Sequence, residues 1–204
     1  MGKEKNLKQI QSEQTTQRLI RAATELLLQK GYAGTTIALL AREVGMTKGA
    51  IYHHFANKEA ILRSVIGHVR NTWEQHVGSR IPHQGDAIAQ LDALFEYQAQ
   101  LINSDPTLCL LVRELMLESD AVTQEMRYEV SSIYDDFGTF ICEILVSGQK
   151  AGIIRSDLSA ADISKSLVTI ISGVSCSRVT DISNDAFAVK MKTTKTLILN
   201  GLKA

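Results

Sequence analysis

Two short apolar segments joined by a glycine constrain the fold of this chain more than any other feature of its 204 residues. Ala41, Gly45 and Ile51 stand four and six residues apart. Two helices joined by a tight turn need a small residue where they nearly touch, a residue that tolerates positive φ in the turn, and an apolar residue beneath the second helix. Ala41, Gly45 and Ile51 meet these needs in order, so the spacing predicts a helix-turn-helix. Because Ala-x-x-x-Gly is common, the pattern alone also fits an ordinary helical hairpin.

Capping residues mark where three successive helices of this region begin. Thr36, Thr47 and Asn57 each stand directly before a segment with helical periodicity. Their side chains accept hydrogen bonds from the amides that a first helical turn leaves without a partner. Helices are therefore expected to begin at the residue that follows each of them.

The rest of the chain is also predicted to be helical. Apolar residues spaced by three and four from Thr15 onward predict a first helix that Gly31 ends, while residues 1–12 lack periodicity and are expected to form a flexible arm. No alternation typical of strands is present, so the predicted fold class is all-α with about nine helices. The helices after the first are predicted over residues 37–44, 48–54, 58–79, 88–102, 107–118, 122–150, 160–179 and 184–202, with a turn at 153–159.

Composition excludes several classes of protein. No apolar run exceeds five residues, so no membrane-spanning helix is expected, and the polar, lysine-rich N-terminus contains no secretory signal. The three cysteines, Cys109, Cys142 and Cys176, are too widely spaced for a disulfide framework or a metal cluster. We therefore expect a cytoplasmic protein without a cofactor, a metal ion or a membrane partner.

The charges balance overall but not along the chain. Residues 1–60 contain nine Lys or Arg against five Glu, whereas the whole chain has 22 of each sign. The N-terminal region is therefore basic and the remainder acidic. This division indicates that one end of the molecule binds a polyanion, and the helix-turn-helix lies within that basic end.

A longer motif surrounds the helix-turn-helix. Residues 31–62 read GYAGTTIALLAREVGMTKGAIYHHFANKEAIL, which combines a Gly-Tyr helix end, a Thr pair, Gly-Met-Thr-Lys-Gly and Ile-Tyr-His-His-Phe at fixed spacing. The segment resembles the N-terminal signature of the TetR family of transcriptional regulators. Ala38 and Leu39 depart from that signature, where polar or charged residues are more usual. The resemblance implies a helix-turn-helix DNA-binding domain over residues 1–60 that includes the arm, and a helical ligand-binding and dimerisation domain over residues 61–204.

The resemblance also implies how the chain meets DNA. A two-fold homodimer would place one recognition helix in each half of a pseudo-palindromic operator on double-stranded DNA. Lys48 is expected to donate to guanine or to meet a phosphate, Gly49 allows close backbone approach, and Tyr52 and His53 suit phosphate or sugar contacts. Phosphate contacts are also implied at the helix N-termini that begin at Thr36 and Lys58. The residues expected at the DNA are Thr36, Thr47, Lys48, Gly49, Ala50, Tyr52, His53 and Lys58.

Two further sites are implied in the C-terminal domain. An unidentified small-molecule effector is expected among the middle helices, at Trp73, Tyr97, Leu101, Arg113, Leu117, Tyr128 and Phe137. Small residues beside an apolar stripe in the eighth helix allow close helix packing, the last helix has a similar stripe, and the resemblance favours an isologous four-helix dimer interface built from both. The residues expected in that interface are Leu167, Ile170, Val174, Phe187, Met191 and Ile198, although packing within one chain would explain the same stripes.

The leading functional prediction is a homodimeric repressor that a small molecule releases from its operator. No catalytic arrangement is recognisable: His53 and His54 are adjacent and point apart, and no serine nucleophile elbow or phosphate-binding loop is present. The chain is therefore not expected to be an enzyme. Two alternatives stay open, namely a helical ligand-binding protein or enzyme that retains the DNA-binding module, and an activator without an effector.

Overall fold

The computed structural model describes residues 7–82, 85–117, 123–177 and 184–204. Over these residues the chain forms nine α-helices, one 3-10 turn and a single isolated bridge between Ile154 and Lys203. The predicted all-α fold class is confirmed. The helices are α1 (Leu7–Gly34), α2 (Ile37–Glu43), α3 (Lys48–Tyr52), α4 (Lys58–His76), α5 (Ala87–Ser104), α6 (Thr107–Leu117), α7 (Gln124–Lys150), α8 (Ala160–Ser177) and α9 (Asn184–Leu202).

The first helix begins earlier than its apolar pattern predicts. α1 starts at Leu7 rather than Thr15, so the expectation of a flexible arm over residues 1–12 is wrong for residues 7–12, while residues 1–6 lie outside the described part of the chain. Residues 7–14 are exposed and rich in Gln, Lys and Glu, which favour helix without needing an apolar face. The other end agrees with the prediction, because Gly31 has φ 66 and breaks the helical geometry.

Two helices end at least two residues earlier than expected. α3 ends at Tyr52 instead of residue 54, and α4 ends at His76, after which Gly78–Arg80 form a 3-10 turn. Such tightening is common where the carbonyls of a last turn need partners. The predicted ends of α6 at residue 118 and of α8 at residue 179, and the predicted start of α7 at residue 122, lie outside the described residues.

The chain divides into two compact units. The first comprises Met1–Val69 with Glu114–Glu129, and the second comprises Arg70–Arg113 with Val130–Ala204. These units do not coincide with the predicted domains, whose boundary at residue 60 stays a prediction. The first unit is built on buried side chains of α1 to α4 and of the segment between α3 and α4, which include Leu19, Ala23, Leu40, Ile51, Phe55 and Leu62.

The second unit is organised around α9. α9 packs against both α5 and α8, and its Phe187 is completely buried. Burial of apolar side chains from these helices supplies the main stabilising free energy of such a bundle. The other large buried side chains of this unit include Leu91, Leu94, Phe95, Ile102, Leu145 and Ile171.

No helix in the described parts of the chain is long and apolar enough to cross a lipid bilayer. Among the same residues, no group of three or more His, Cys, Asp or Glu side chains is arranged to hold a metal ion.

Candidate nucleic-acid interface

The first helix of the motif begins at the residue that the sequence predicts. Thr36 lies in the extended region, and its hydroxyl accepts a hydrogen bond from the Leu39 amide at 3.1 Å. This cap satisfies one of the amides that would otherwise lack a partner in the first turn of α2. Leu40 and Ala41 are buried, so the fourth and fifth residues of this seven-residue helix anchor it to the first unit.

The turn between α2 and α3 is a Schellman motif. The Met46 amide donates to the Ala41 carbonyl at 2.9 Å, and the Gly45 amide donates to the Arg42 carbonyl at 3.3 Å. This pattern places the residue after the helix cap in the left-handed region. Gly45 occupies that position with φ 66, which confirms the conformational role predicted for it.

Replacing Gly45 by alanine should destabilise the protein by about 1–2 kcal/mol, because a Cβ disfavours the left-handed conformation by that amount. The matched control is Gly67→Ala within α4, where alanine should instead stabilise by roughly 0.5–1 kcal/mol. An added Cβ meets no atom within 4 Å at either glycine, so the two substitutions differ in backbone conformation alone. Denaturant unfolding of both variants measures the effect. Equal stability of Gly45→Ala and the wild type would contradict the strain assigned to the turn.

The second helix of the motif presents a polar face to solvent. The Thr47 hydroxyl accepts a hydrogen bond from the Ala50 amide at 3.2 Å and caps α3, while Ile51 is completely buried beneath it. The opposite face is exposed, and Tyr52 keeps 54% of its surface in solvent. The predicted contact residues on this face are Thr47, Lys48, Gly49, Tyr52 and His53, all exposed, with Ala50 half-buried.

The start of α4 holds Lys58 against the end of α1. The Lys58 ammonium lies 4.0 Å from the centroid of the Tyr32 ring and 3.4 Å from the Ala33 carbonyl oxygen. A cation over an aromatic face is attracted by the ring quadrupole. The Tyr32 hydroxyl donates to Glu59 at 3.5 Å, and burial together with that carboxylate raises the pKa of Tyr32. Lys58 is therefore positioned by neighbours that the sequence analysis did not connect with it.

Two polar residues of α1 also contact the motif. Arg18 donates from Nη2 to the Val44 carbonyl at 2.7 Å, and Thr16 Oγ1 lies 3.0 Å from His54 Nδ1. Neither residue was predicted from the sequence, because α1 contains no motif residue at these positions. The one available signal was their place on the polar side of a helix whose apolar side packs into the first unit.

The residues predicted to bind an effector separate into two groups. Trp73 lies against Phe137, with ring centroids 5.1 Å apart, and its indole donates to Gln98 at 3.1 Å. The side chain of Phe140 completes this cluster at 5.4 Å from Trp73, although the sequence analysis did not select it. Tyr97 stacks under the Arg80 guanidinium at 3.9 Å, and Leu101 is buried.

The other predicted effector residues are exposed. Leu117 and Tyr128 are 72% and 71% exposed, and both belong to the first unit, whereas Trp73 belongs to the second. Arg113 is exposed as well. An apolar or aromatic side chain near a helix end often faces solvent, and a role of these three residues in effector binding stays a prediction.

The predicted dimer interface also needs correction. Leu167, Phe187 and Met191 are buried within the chain itself and are core residues rather than surface residues. The structure leaves Ile170 exposed, and Val174 and Ile198 half-buried. Val189 and Leu197, which the sequence analysis did not select, are exposed on α9. A stripe with helical spacing marks the buried face of a helix, and the residues offset from it form the outer face.

Comparison with known proteins identifies the same region. The sequence pattern of "Bacterial regulatory proteins, tetR family" matches residues 19–65. The uncharacterised HTH-type transcriptional regulator TtgW of Pseudomonas putida is 30% identical over 94 residues, which cover 44% of this chain and 70% of that protein. The HTH-type transcriptional repressor DhaR of a Mycobacterium species is 23% identical over 143 residues, which cover 70% of this chain and 71% of that protein.

The fold agrees with that assignment. The crystal structure of AibR in complex with isovaleryl coenzyme A and operator DNA superposes with a TM-score of 0.70, at 20% identity, over 89% of this chain and 96% of AibR. The resemblance of residues 31–62 to the family is thus confirmed by the family match, by the regulator TtgW, of which 70% is covered at 30% identity, and by the fold. The chain belongs to the tetR family of bacterial regulatory proteins and is a DNA-binding transcriptional regulator.

Proposed function

We propose that the chain is a homodimeric repressor that reads its operator with α3 and releases it when a small molecule binds the helical bundle. The observation that supports this proposal is that α3 has one buried apolar side and one exposed polar side. Its inner side is anchored by Ile51, while Lys48, Gly49, Tyr52 and His53 face solvent. A short helix held from beneath with its polar residues outward is the arrangement that enters a major groove.

Each exposed side chain has a proposed role at the DNA. Lys48 is at the first position of α3 and would donate to guanine O6 or N7. Tyr52 and His53 would bind phosphates at the other end of the helix, and Thr36 and Lys58 would do so at the starts of α2 and α4. Phosphate contacts set position along the duplex, and base contacts supply the sequence preference. Such a regulator would act in the cytoplasm, where bacterial DNA lies.

The outer face of α8 and α9 is the proposed dimer surface. Ile170, Val174, Val189, Leu197 and Ile198 keep part or most of their surface in solvent in the single chain. A two-fold axis through this face would bury these apolar side chains against their own copies. Two recognition helices related by that axis would be about 34–36 Å apart, or a multiple of this distance, to meet successive turns of B-DNA.

A cavity in the second unit is the proposed effector site. It has a volume of about 350 Å³, and Phe140 joins it to the Trp73 cluster. Its lining also includes Ile81 and Ile144, which are apolar, and Gln90 and Glu143, which are polar. These properties suit a small molecule that carries hydrogen-bonding groups beside a short apolar part. An acyl thioester is the first class to test, since AibR was crystallised with isovaleryl coenzyme A.

α4 is the proposed route from effector to DNA. Its first residues, Lys58–Val69, belong to the first unit and its last residues, Arg70–His76, belong to the second. A movement of the C-terminal half of one continuous helix changes the direction of its N-terminal half. Only one spacing of the two recognition helices fits an operator, so a small tilt is enough to release it. A hundredfold release requires the effector to prefer the released state by about 2.7 kcal/mol.

The wild-type protein is first used to enrich a DNA duplex from a random library. This DNA, the selected duplex, serves to test the proposal. Isovaleryl coenzyme A and acyl analogues of other chain lengths are screened for an increase in melting temperature. Each compound that binds is expected to lower affinity for the selected duplex, and Phe140→Leu is expected to weaken that response without changing affinity in its absence. Compounds that bind the protein but leave DNA affinity unchanged would contradict the coupling and favour a regulator without an effector.

A further inference from the structure

α1 is bonded to both ends of the segment that carries the recognition helix, residues 44–54. At the first end, Arg18 Nη2 donates to the carbonyl oxygen of Val44, the residue that caps α2. At the second end, Thr16 Oγ1 and His54 Nδ1 lie 3.0 Å apart. Thr16 and Arg18 are two residues apart on one helix, so a single short stretch of α1 contacts both ends of the segment.

The number of hydrogens that each group carries shows which group donates and which accepts in these contacts. The Thr16 hydroxyl has one hydrogen, and its oxygen also lies 3.0 Å from the Ser12 carbonyl, which can only accept. Thr16 therefore donates to Ser12 and accepts from Nδ1–H of His54. The Arg18 guanidinium meets a helix C-terminus, where carbonyls lack partners within the helix and the helix dipole attracts a cation.

α3 depends on such contacts because it is short. It contains five residues, well under the length at which an isolated helix is stable in water. The apolar anchors Ile51 and Phe55 hold it by burial, but apolar attraction has no preferred direction. Hydrogen bonds do have directional preference, so bonds at both ends limit rotation and sliding of the segment on its apolar base.

We propose that Arg18 and Thr16 are positioning residues of the DNA interface, which set the orientation of α3 by holding Val44 and His54. This inference rests on the proposed reading of DNA by α3. Neither residue touches a base in this scheme, and both act through the segment that they hold. Their loss is therefore expected to reduce discrimination between DNA sequences, whereas the non-specific attraction of the basic surface for phosphates is retained.

The test compares Arg18→Met with Arg21→Met. Arg21 is an exposed arginine of the same helix, so the control removes the same charge from the same unit. Affinity is measured for the selected duplex and for a scrambled duplex of equal length and composition over a range of salt concentrations. Relative to Arg21→Met, Arg18→Met should bind the selected duplex roughly tenfold more weakly, since a hydrogen bond from a charged donor is lost. The two variants should bind the scrambled duplex equally and show the same salt dependence.

Two results would overturn the proposal. In the first, Arg18→Met weakens binding to both duplexes, and its slope of log K against log salt concentration is shallower than that of Arg21→Met by about 1. Arg18 is then a phosphate contact. If Arg18→Met lowers the melting temperature but matches Arg21→Met in affinity for the selected duplex, its role is structural only.

A second pair of variants keeps the test valid if Arg18→Met fails to fold. Thr16→Val removes the hydroxyl that meets His54, and Thr15→Val removes a neighbouring hydroxyl that donates only to the Gln11 carbonyl of its own helix. We expect Thr16→Val to bind the selected duplex about threefold more weakly than Thr15→Val; equal affinity would overturn the proposal. If the wild type itself does not prefer the selected duplex, the proposed reading by α3 is what fails.

Discussion

Replacing Leu197 by glutamate is expected to give a monomer and to lower affinity for the selected duplex at least a hundredfold. Leu197 is 70% exposed in the single chain, so the substitution leaves the fold of the monomer intact. In the proposed dimer the same side chain is buried near a two-fold axis, where the new carboxylate would be desolvated without a partner. A monomer binds one half-site, and linked binding of two half-sites raises affinity by about 10²–10⁴.

The control for this substitution is Leu158→Glu. Leu158 is also an exposed leucine of the second unit, but it lies between α7 and α8 and outside the proposed interface. Sedimentation should find a dimer for Leu158→Glu and a monomer for Leu197→Glu, and circular dichroism should find the same helix content for both variants. A dimer that persists in Leu197→Glu and in Ile170→Glu would place the interface on another surface.

The second large effect is expected at the recognition helix. The double substitution Lys48→Ala with Tyr52→Phe should lower affinity for the selected duplex roughly 30-fold or more, because a good base contact contributes about 1–3 kcal/mol and a dimer makes each contact twice. Both side chains are exposed, so the melting temperature should not change. Fluorescence anisotropy with the selected and scrambled duplexes measures the loss.

Two single substitutions show what kind of contact is lost. Lys30→Ala removes one exposed positive charge from the same unit and should bind both duplexes nearly as the wild type does. Lys58→Ala should weaken binding to both duplexes equally and flatten the salt dependence, as the loss of a phosphate contact does. If the double variant binds the selected duplex as tightly as Lys30→Ala does, α3 is not the helix that reads the sequence.

Features set by local chemistry could be predicted from the sequence. Thr36 and Thr47 cap the helices that they were expected to cap, and Gly45 has the predicted positive φ. Each of these depends on one residue and on backbone groups within four residues of it, so the sequence spacing carries the whole interaction. The buried positions of Ala41 and Ile51 follow from the same local pattern.

Features set by contacts distant in sequence could not be predicted in this way. Phe187 and Met191 have the spacing of an interface helix, but the same spacing results when α9 packs on α5. The contact between Arg18 and Val44 joins residues 26 positions apart, and the contact between Lys58 and Tyr32 also joins two helices. A charged residue on a helix surface gives no sign of which carbonyl or ring it will meet.

Recognition of DNA by sequence through the exposed face of α3 is measured by the ratio of wild-type affinities for the selected and scrambled duplexes at physiological salt concentration. We expect a ratio of about 10³ or more, as specific DNA-binding proteins show, and a selected sequence with two-fold symmetry. A ratio near one, with equal salt dependence for the two duplexes, would mean that the basic surface binds phosphates alone and that α3 does not read the sequence.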